Sequence, residues 1–308
     1  MPVDGRTLLD GVVIPIVTPM DAQRRPDPAA AEPLLEALAA ASVRRIMLYG
    51  SNGEGPALTA DQLGPFAEAV ARAWRERVPE GIVILNASGT ATADALRRAE
   101  QLLPAAPDVL LLGAPSFFRH GRAELVEHYK AFAGVGAPVV IYNSPVYSGS
   151  DVDVDVVRDL LELDFVVGIK DSSRAEGRIA GLVDAAAARG DFGVSQGDER
   201  GMMQAFRDGA DGITPGIGNL APALAVALYA AAKAGDWDAA AELQARADQL
   251  VGIHSIRSGI PAIKAALTLR GLCTPYTSLP FIPYSEQETA AMAEFLAPFD
   301  ADLAGVAR

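Results

Sequence analysis

The sequence predicts an α/β protein: a (β/α)8 TIM barrel followed by a C-terminal extension of three helices. Eight apolar runs of strand length recur at a steady interval. They are continuous rather than alternating, as expected of parallel strands buried on both faces. Helical patterns separate them, and eight strand–helix units in about 235 residues is the arithmetic of a closed parallel barrel.

In chain order the expected strands are Val12–Val17, Ile46–Tyr49, Ile82–Leu85, Val109–Leu112, Val139–Tyr142, Val166–Ile169, Phe192–Ser195 and Asp211–Thr214. After the second strand, Thr59-Ala-Asp-Gln62 has the form of a capping box. Leu63, Phe66, Val70 and Trp74 then follow at helical spacing, an apolar stripe that faces a sheet. Similar segments rich in Ala, Leu and Arg occupy 29–42, 92–104, 122–133, 153–162, 174–189, 199–208 and 222–234. Beyond them no good strand remains, and helices are expected at 236–256, 260–271 and 285–297, separated by Ser258-Gly259-Ile260-Pro261 and by the stretch from Thr274-Pro275 to Pro283. The division is thus a barrel over 1–235 carrying the active site and a helical extension over 236–308 packed on it.

Composition narrows the function. The chain has 308 residues, is 50% hydrophobic, and carries 39 acidic against 26 basic residues for a formal charge of -13. So acidic a protein has no general electrostatic reason to bind nucleic acid or an anionic membrane. Met1 to Asp10 lacks the apolar core of a signal peptide, and the longest apolar stretch, around Ala221 to Ala232, is too short to span a bilayer. The single Cys273 allows no internal disulfide, and His120, His128 and His254 lie far apart without metal-ligand spacing. A cytoplasmic protein with no metal site is expected. Of the 26 basic residues only Lys130, Lys170, Lys233 and Lys264 are lysines, so each merits inspection.

Barrel enzymes place their chemistry at the C-terminal ends of the strands. Lys170 stands there, following Phe165-Val-Val-Gly-Ile169 without a break. Burial disfavours the charged form of a lysine, and a neutral amine attacks ketones to form a Schiff base. The competing reading is a lysine that snorkels to water or pairs with Asp171. Tyr142 ends the preceding strand, where its hydroxyl would lie near that amine and could carry protons; a core tyrosine with a capped hydroxyl is the alternative. Gly50-Ser-Asn-Gly-Glu-Gly55 is a glycine-rich turn whose backbone N–H groups could hold a carboxylate, although such turns are also common connectors. Lys130 and Lys233 fall on solvated helix faces. Lys264, in Ile260-Pro-Ala-Ile-Lys, is expected to be partly buried and lies outside the barrel units.

Over nearly its whole length the chain resembles the dihydrodipicolinate synthase / N-acetylneuraminate lyase family of pyruvate-dependent class I aldolases. The resemblance rests on Gly11-Val-Val-Ile-Pro-Ile-Val-Thr-Pro19, Gly50-Ser-Asn-Gly-Glu54, Ile141-Tyr-Asn-Ser-Pro145, Gly168-Ile-Lys-Asp171 and Gly197-Asp198, in the right order and at the right strand ends. It implies that Lys170 is the Schiff-base lysine, Tyr142 the acid/base tyrosine and Ser51 the relay hydroxyl. It also implies that the N–H groups of Ser51 and Asn52 grip the pyruvate carboxylate, that the carbonyl of Thr214 faces the site, and that the chain forms a homotetramer or homodimer. No cofactor beyond the covalent pyruvate imine is implied.

The departures bear on the substrate. Where the synthases carry an acceptor-binding Arg two residues after the Tyr-Asn-x-Pro motif, this chain has Tyr147, and where they carry a relay Tyr it has Phe117. Without a guanidinium fork a carboxylated acceptor loses a bidentate anchor. Asn52 and Asp171-Ser172-Ser173 are closer to the sugar-acid and hydroxy-oxoglutarate branches, and Asp198-Glu199 resembles the acidic pair with which neuraminate lyases hold a polyhydroxyl chain; as a first-turn helix residue, Glu199 could equally face the helix dipole. The expected activity is a lyase that joins pyruvate to an aldehyde or cleaves a 4-hydroxy-2-oxo acid of sugar-acid or hydroxy-oxoglutarate type. The alternatives are 4-hydroxy-tetrahydrodipicolinate synthase proper, a family dehydratase or hydratase-aldolase, and, of another class, a non-catalytic ligand-binding barrel.

Overall fold

A computed structural model describes residues 3–306; the outermost residues of the N-terminal segment and of the C-terminal extension read above lie outside it. Eight parallel strands close into a barrel in sequence order, β8 pairing with β1. They are β1 (Gly11–Pro15), β2 (Arg45–Leu48), β3 (Ile82–Asn86), β4 (Val109–Gly113), β5 (Val139–Asn143), β6 (Val166–Asp171), β7 (Gly193–Gln196) and β8 (Gly212–Ile213). All eight expected strands are present, displaced by a residue or two, and the last shrinks to two residues.

The helices are α1 (Gly5–Leu9), α2 (Glu32–Ala40), α3 (Ala60–Arg77), α4 (Thr92–Leu102), α5 (Arg122–Lys130), α6 (Pro145–Ser148), α7 (Val154–Leu160), α8 (Arg178–Ala186), α9 (Met202–Arg207) and α10 (Pro222–Lys233), then α11 (Trp237–Leu250), α12 (Ile260–Leu269) and α13 (Glu286–Leu296). The capping box at Thr59 and Gln62 opens α3 as expected. Several segments differ from the sequence expectation: 29–42 begins with a 3-10 turn, Ala29–Ala31, as 199–208 does with Glu199–Gly201; 92–104 ends in one, Leu103–Ala105, as 236–256 does in Val251–Ser255; and the helix expected over 174–189 is confined to Arg178–Ala186. Among the described residues no helix is long and apolar enough to cross a membrane.

Two elements were not expected. Helix α1 closes the floor of the barrel: Asp4 caps it, and Leu8 and Leu9 pack into the interior with Val13, Met47, Ile84 and Val167. Helix α6 is a single turn after β5 that carries Val146 and Tyr147 to the mouth. The floor is thus filled with apolar side chains, and the strand ends at the opposite face are the ones left open for chemistry.

Candidate active site

The interior layer above the apolar floor contains Tyr142, and Lys170 faces it. The two are register partners on β5 and β6, and the Lys170 Nζ lies 4.3 Å from the centroid of the Tyr142 ring. Lys170 is only 6% exposed. An irregularity in pairing brings it there. Val139 pairs with Val166 but Val140 pairs with Gly168, so Val167 is an extra residue on β6. Side chains alternate along a strand, so an extra residue exchanges the faces of everything after it. Val167 points into the barrel with the floor cluster, yet beyond it Ile169 joins the outer core and Lys170 turns inward beside Tyr142. Gly197, at the end of β7, makes room for the lysine stem: a Cβ there would lie 2.6 Å from Lys170 Cε.

The same alternation sends Asp171 outward. It accepts from Asn143 Nδ2 at 2.7 Å and lies 3.6 Å from Arg178, whose guanidinium grips Asp151 through bonds of 2.9 and 2.7 Å. Asn143 also donates to Asp151. This network, buried at Asn143 and Asp171 and open to solvent at Asp151, ties the tips of β5 and β6 together just behind Tyr142 and Lys170. It also removes the expectation that Lys170 pairs with Asp171; Arg178 is that carboxylate's cation.

Tyr142 is held below the usual phenol pKa. Burial is the largest single influence and pushes it up, but the Lys170 charge and the Ser51 and Ser144 hydroxyls beside it together outweigh that. Such a phenol yields its proton more readily than a free one. Ser51 lies near enough to the phenols of both Tyr142 and Tyr147 to favour their ionised forms. Ser144, buried directly after the β5 tip, was not singled out in the sequence; its proximity to Tyr142 depends on the turn into α6.

The glycine-rich turn is built under conformational strain. Tyr49 and Glu54 have φ of 63° and 57°, unusual for non-glycine residues. The Tyr49 hydroxyl is anchored on Leu63 O at 2.5 Å, and a Cβ on Gly55 would collide with the Tyr49 carbonyl. Glu54 N donates to Ser51 O at 3.2 Å and Gly55 N to Gly50 O at 3.3 Å, whereas the N–H groups of Ser51 and Asn52 meet no acceptor among the described residues. Two adjacent free donors at a barrel mouth suit a carboxylate.

The other expected site residues divide. Asn52 and Glu199 converge on Gly216, where a Cβ would lie 2.5 Å from Asn52 Nδ2 and 3.2 Å from Glu199 Oε1. Glu199 accepts from Ile217 N at 2.5 Å, so it braces the loop after β8 as well as standing at a helix start; burial raises its carboxyl above the usual range, with Asp198 adding to the effect and Ile217 and Lys170 opposing it. Asp198 accepts from Arg174 Nε at 3.0 Å. Thr214 is buried at the end of β8, its hydroxyl 2.9 Å from that of Ser195. Tyr147 and Phe117 stay largely exposed, at 67% and 87%. Phe117, at φ 85°, rests edge-on against Phe118 and is not drawn into the cluster. Lys130 and Lys233 are half-exposed and ion-paired, to Glu127 and Asp10. Lys264 departs from expectation: it is completely buried rather than partly so.

Known proteins share both the sequence and the architecture. The model of the dihydrodipicolinate synthetase family matches residues 8–298. The 4-hydroxy-tetrahydrodipicolinate synthase of Methanosphaerula palustris is 29% identical over 295 residues, covering 95% of this chain and all of that one. The protein of the same name from Phenylobacterium zucineum is 32% identical over 295 residues, covering 93% and 95%. Among solved structures, a monomeric dihydrodipicolinate synthase variant superposes with a TM-score of 0.88 at 26% identity, covering 96% of this chain and 98% of that one. The chloride-inhibited synthase from Acinetobacter baumannii complexed with pyruvate gives 0.86 at 27%, covering 94% and 98%. These names favour the synthase alternative over the sugar-acid and hydroxy-oxoglutarate reading. The chain belongs to the dihydrodipicolinate synthetase family of enzymes.

Proposed function

We propose that the protein is a Schiff-base aldolase that joins pyruvate to an aldehyde. The observation that carries this reading is the pairing of a buried Lys170, without a carboxylate salt-bridge partner among the described residues, with Tyr142 across β5 and β6. A structural lysine would be paired or led out to water.

In the proposed reaction the Lys170 amine attacks C2 of pyruvate, and the carbonyl oxygen leaves as water, protonated through Tyr142 with Ser51 in relay. The cationic imine then acidifies C3, which gives up a proton to form an enamine. Its C3 bonds to the aldehyde carbon, whose oxygen takes up the proton, and water returns the free lysine. The pyruvate carboxylate sits on the N–H groups of Ser51 and Asn52, with the Thr214 carbonyl at the rim. The protonated imine serves as electron sink, so this sequence of steps takes no metal or separate cofactor. We read the chain as cytoplasmic, and as a homodimer or homotetramer because Phe117, Phe118, Val146 and Tyr147 leave apolar surface at the mouth.

Two acceptors are supported by different observations. The names of the relatives support aspartate semialdehyde, the acceptor of the synthases. Tyr147 supports an acceptor without a carboxylate, because that position carries no guanidinium. Rates of pyruvate condensation with aspartate semialdehyde, set beside pyruvate release from a panel of 4-hydroxy-2-oxo acids, decide between them. Robust turnover of the semialdehyde establishes the synthase; turnover confined to the oxo acids establishes the second reading. If the semialdehyde is the acceptor, Tyr147→Arg should improve its KM about tenfold.

A further inference from the structure

The glycine-rich turn is fastened by a part of the chain outside the barrel strands. Glu54 and Lys264 both have fully buried side chains and form an ion pair. The second Glu54 oxygen accepts from the Ser278 N–H and the Ser278 hydroxyl, each at 2.6 Å, and Lys264 Nζ also donates to Tyr276 O at 2.6 Å. Lys264 lies on α12 and both carbonyl and hydroxyl partners lie in the segment that follows it, so one carboxylate from the mouth of the barrel is enclosed by the C-terminal extension. The same segment is tied to the loop after β1: the Thr274 hydroxyl donates to Met20 O at 2.7 Å and Arg24 donates to Thr277 O at 2.8 Å.

Glu54 is three residues from Ser51 and is bonded back to it through its own amide. Its left-handed backbone costs energy that the surrounding contacts must offset. An uncompensated charge at such a depth is strongly unfavourable, and a buried pair often adds no stability over an apolar pair, while in some proteins it fixes one conformation. The conformation fixed here is the one that leaves the Ser51 and Asn52 amides free.

We infer that Glu54 and Lys264 are positioning residues: through them the C-terminal extension sets the geometry of the carboxylate-binding turn, and hence the affinity for pyruvate. The inference rests on the aldolase reading above, in which that turn receives the pyruvate carboxylate. It assigns the extension a share in substrate binding that its distance from Lys170 would not suggest.

The test is a pyruvate titration with borohydride trapping on Lys170, read by intact mass, together with kcat at saturating pyruvate and thermal unfolding. It uses the full chain, Glu54→Gln, and the double variant Glu54→Leu with Lys264→Met. Both variants should need about tenfold more pyruvate for half-saturation, about 1.4 kcal/mol of binding, with kcat little changed. The double variant should recover most of the thermal stability that Glu54→Gln loses while keeping the raised half-saturation, since an apolar pair can replace a buried ion pair in the core but cannot hold the turn. Should Glu54→Gln fail to fold, Ser278→Ala removes one bond from the same carboxylate and should raise half-saturation about threefold. Unchanged half-saturation in every folded variant, or half-saturation that recovers together with stability, overturns the inference. Absence of any adduct in the full wild-type chain would instead overturn the aldolase reading, and this inference with it.

Discussion

Lys170 at the tip of β6 and Lys264 on α12 are both buried lysines, one 6% and one 0% exposed, but their surroundings are opposite. Lys264 is enclosed by the Glu54 carboxylate and the Tyr276 carbonyl. Lys170 faces the ring of Tyr142 at 4.3 Å, and the nearest acidic neighbour in sequence, Asp171, is turned away and engaged by Arg178. Lys264 has a carboxylate and a carbonyl supplied by the protein. Lys170 has neither among the described residues. Burial alone therefore does not distinguish the two lysines; the presence of a dedicated partner does, and a buried lysine without one is a candidate for chemistry.

This contrast can be broken by changing each lysine in turn. Lys170→Ala should abolish turnover, by about a thousandfold or more, while leaving unfolding free energy unchanged or slightly raised, because no ion pair is lost. Lys264→Met should do the reverse in size: urea denaturation should show a loss of about 3–5 kcal/mol, from stranding Glu54 in the core, with turnover at saturating pyruvate largely kept. If the two variants behaved alike in both measurements, the distinction would fail. Tyr142→Phe keeps the ring beside the Lys170 amine and removes the hydroxyl proposed to carry protons; kcat should fall about a hundredfold with no loss of stability.

A third buried base shows another outcome. His128 is buried with both ring nitrogens engaged, Nδ1 with the Thr92 hydroxyl at 2.9 Å and Nε2 with Gly113 O at 3.2 Å. Burial pushes its pKa down to about 4, only partly opposed by the Gly113 carbonyl. The unfolded chain would take up a proton near pH 6.5 that the folded chain refuses until about pH 4, so its contribution is present above pH 6.5 and is lost as pH falls through that window. At pH 5 the loss is about 2 kcal/mol. In His128→Gln, unfolding free energy measured from pH 7 to pH 5 should fall less steeply than in the wild type by that amount.

The barrel was legible because each strand is a continuous apolar run and each helix an amphipathic one, signals confined to a few residues. Lys170 and Tyr142 were legible because a strand end can be read from where such a run stops. The extra residue at Val167 was not, since Val166-Val-Gly-Ile169 looks the same with or without it; register is a property of two strands, and here it decides which way Lys170 points. The left-handed Tyr49 and Glu54 carry no glycine to announce them. Helix α1 is only five residues long, too short for a periodic signal. The Glu54–Lys264 pair joins positions far apart in sequence and left only a trace, a lone lysine in an otherwise apolar helix.

The central claim is that Lys170 is the amine that takes up pyruvate. Incubation with pyruvate, reduction by borohydride and peptide mass mapping test it directly. The account predicts a reduced pyruvyl adduct on the peptide containing Lys170, absent in Lys170→Ala and in samples reduced without pyruvate, with Lys130, Lys233 and Lys264 unmodified. No adduct, or the same yield of adduct in Lys170→Ala, would contradict it.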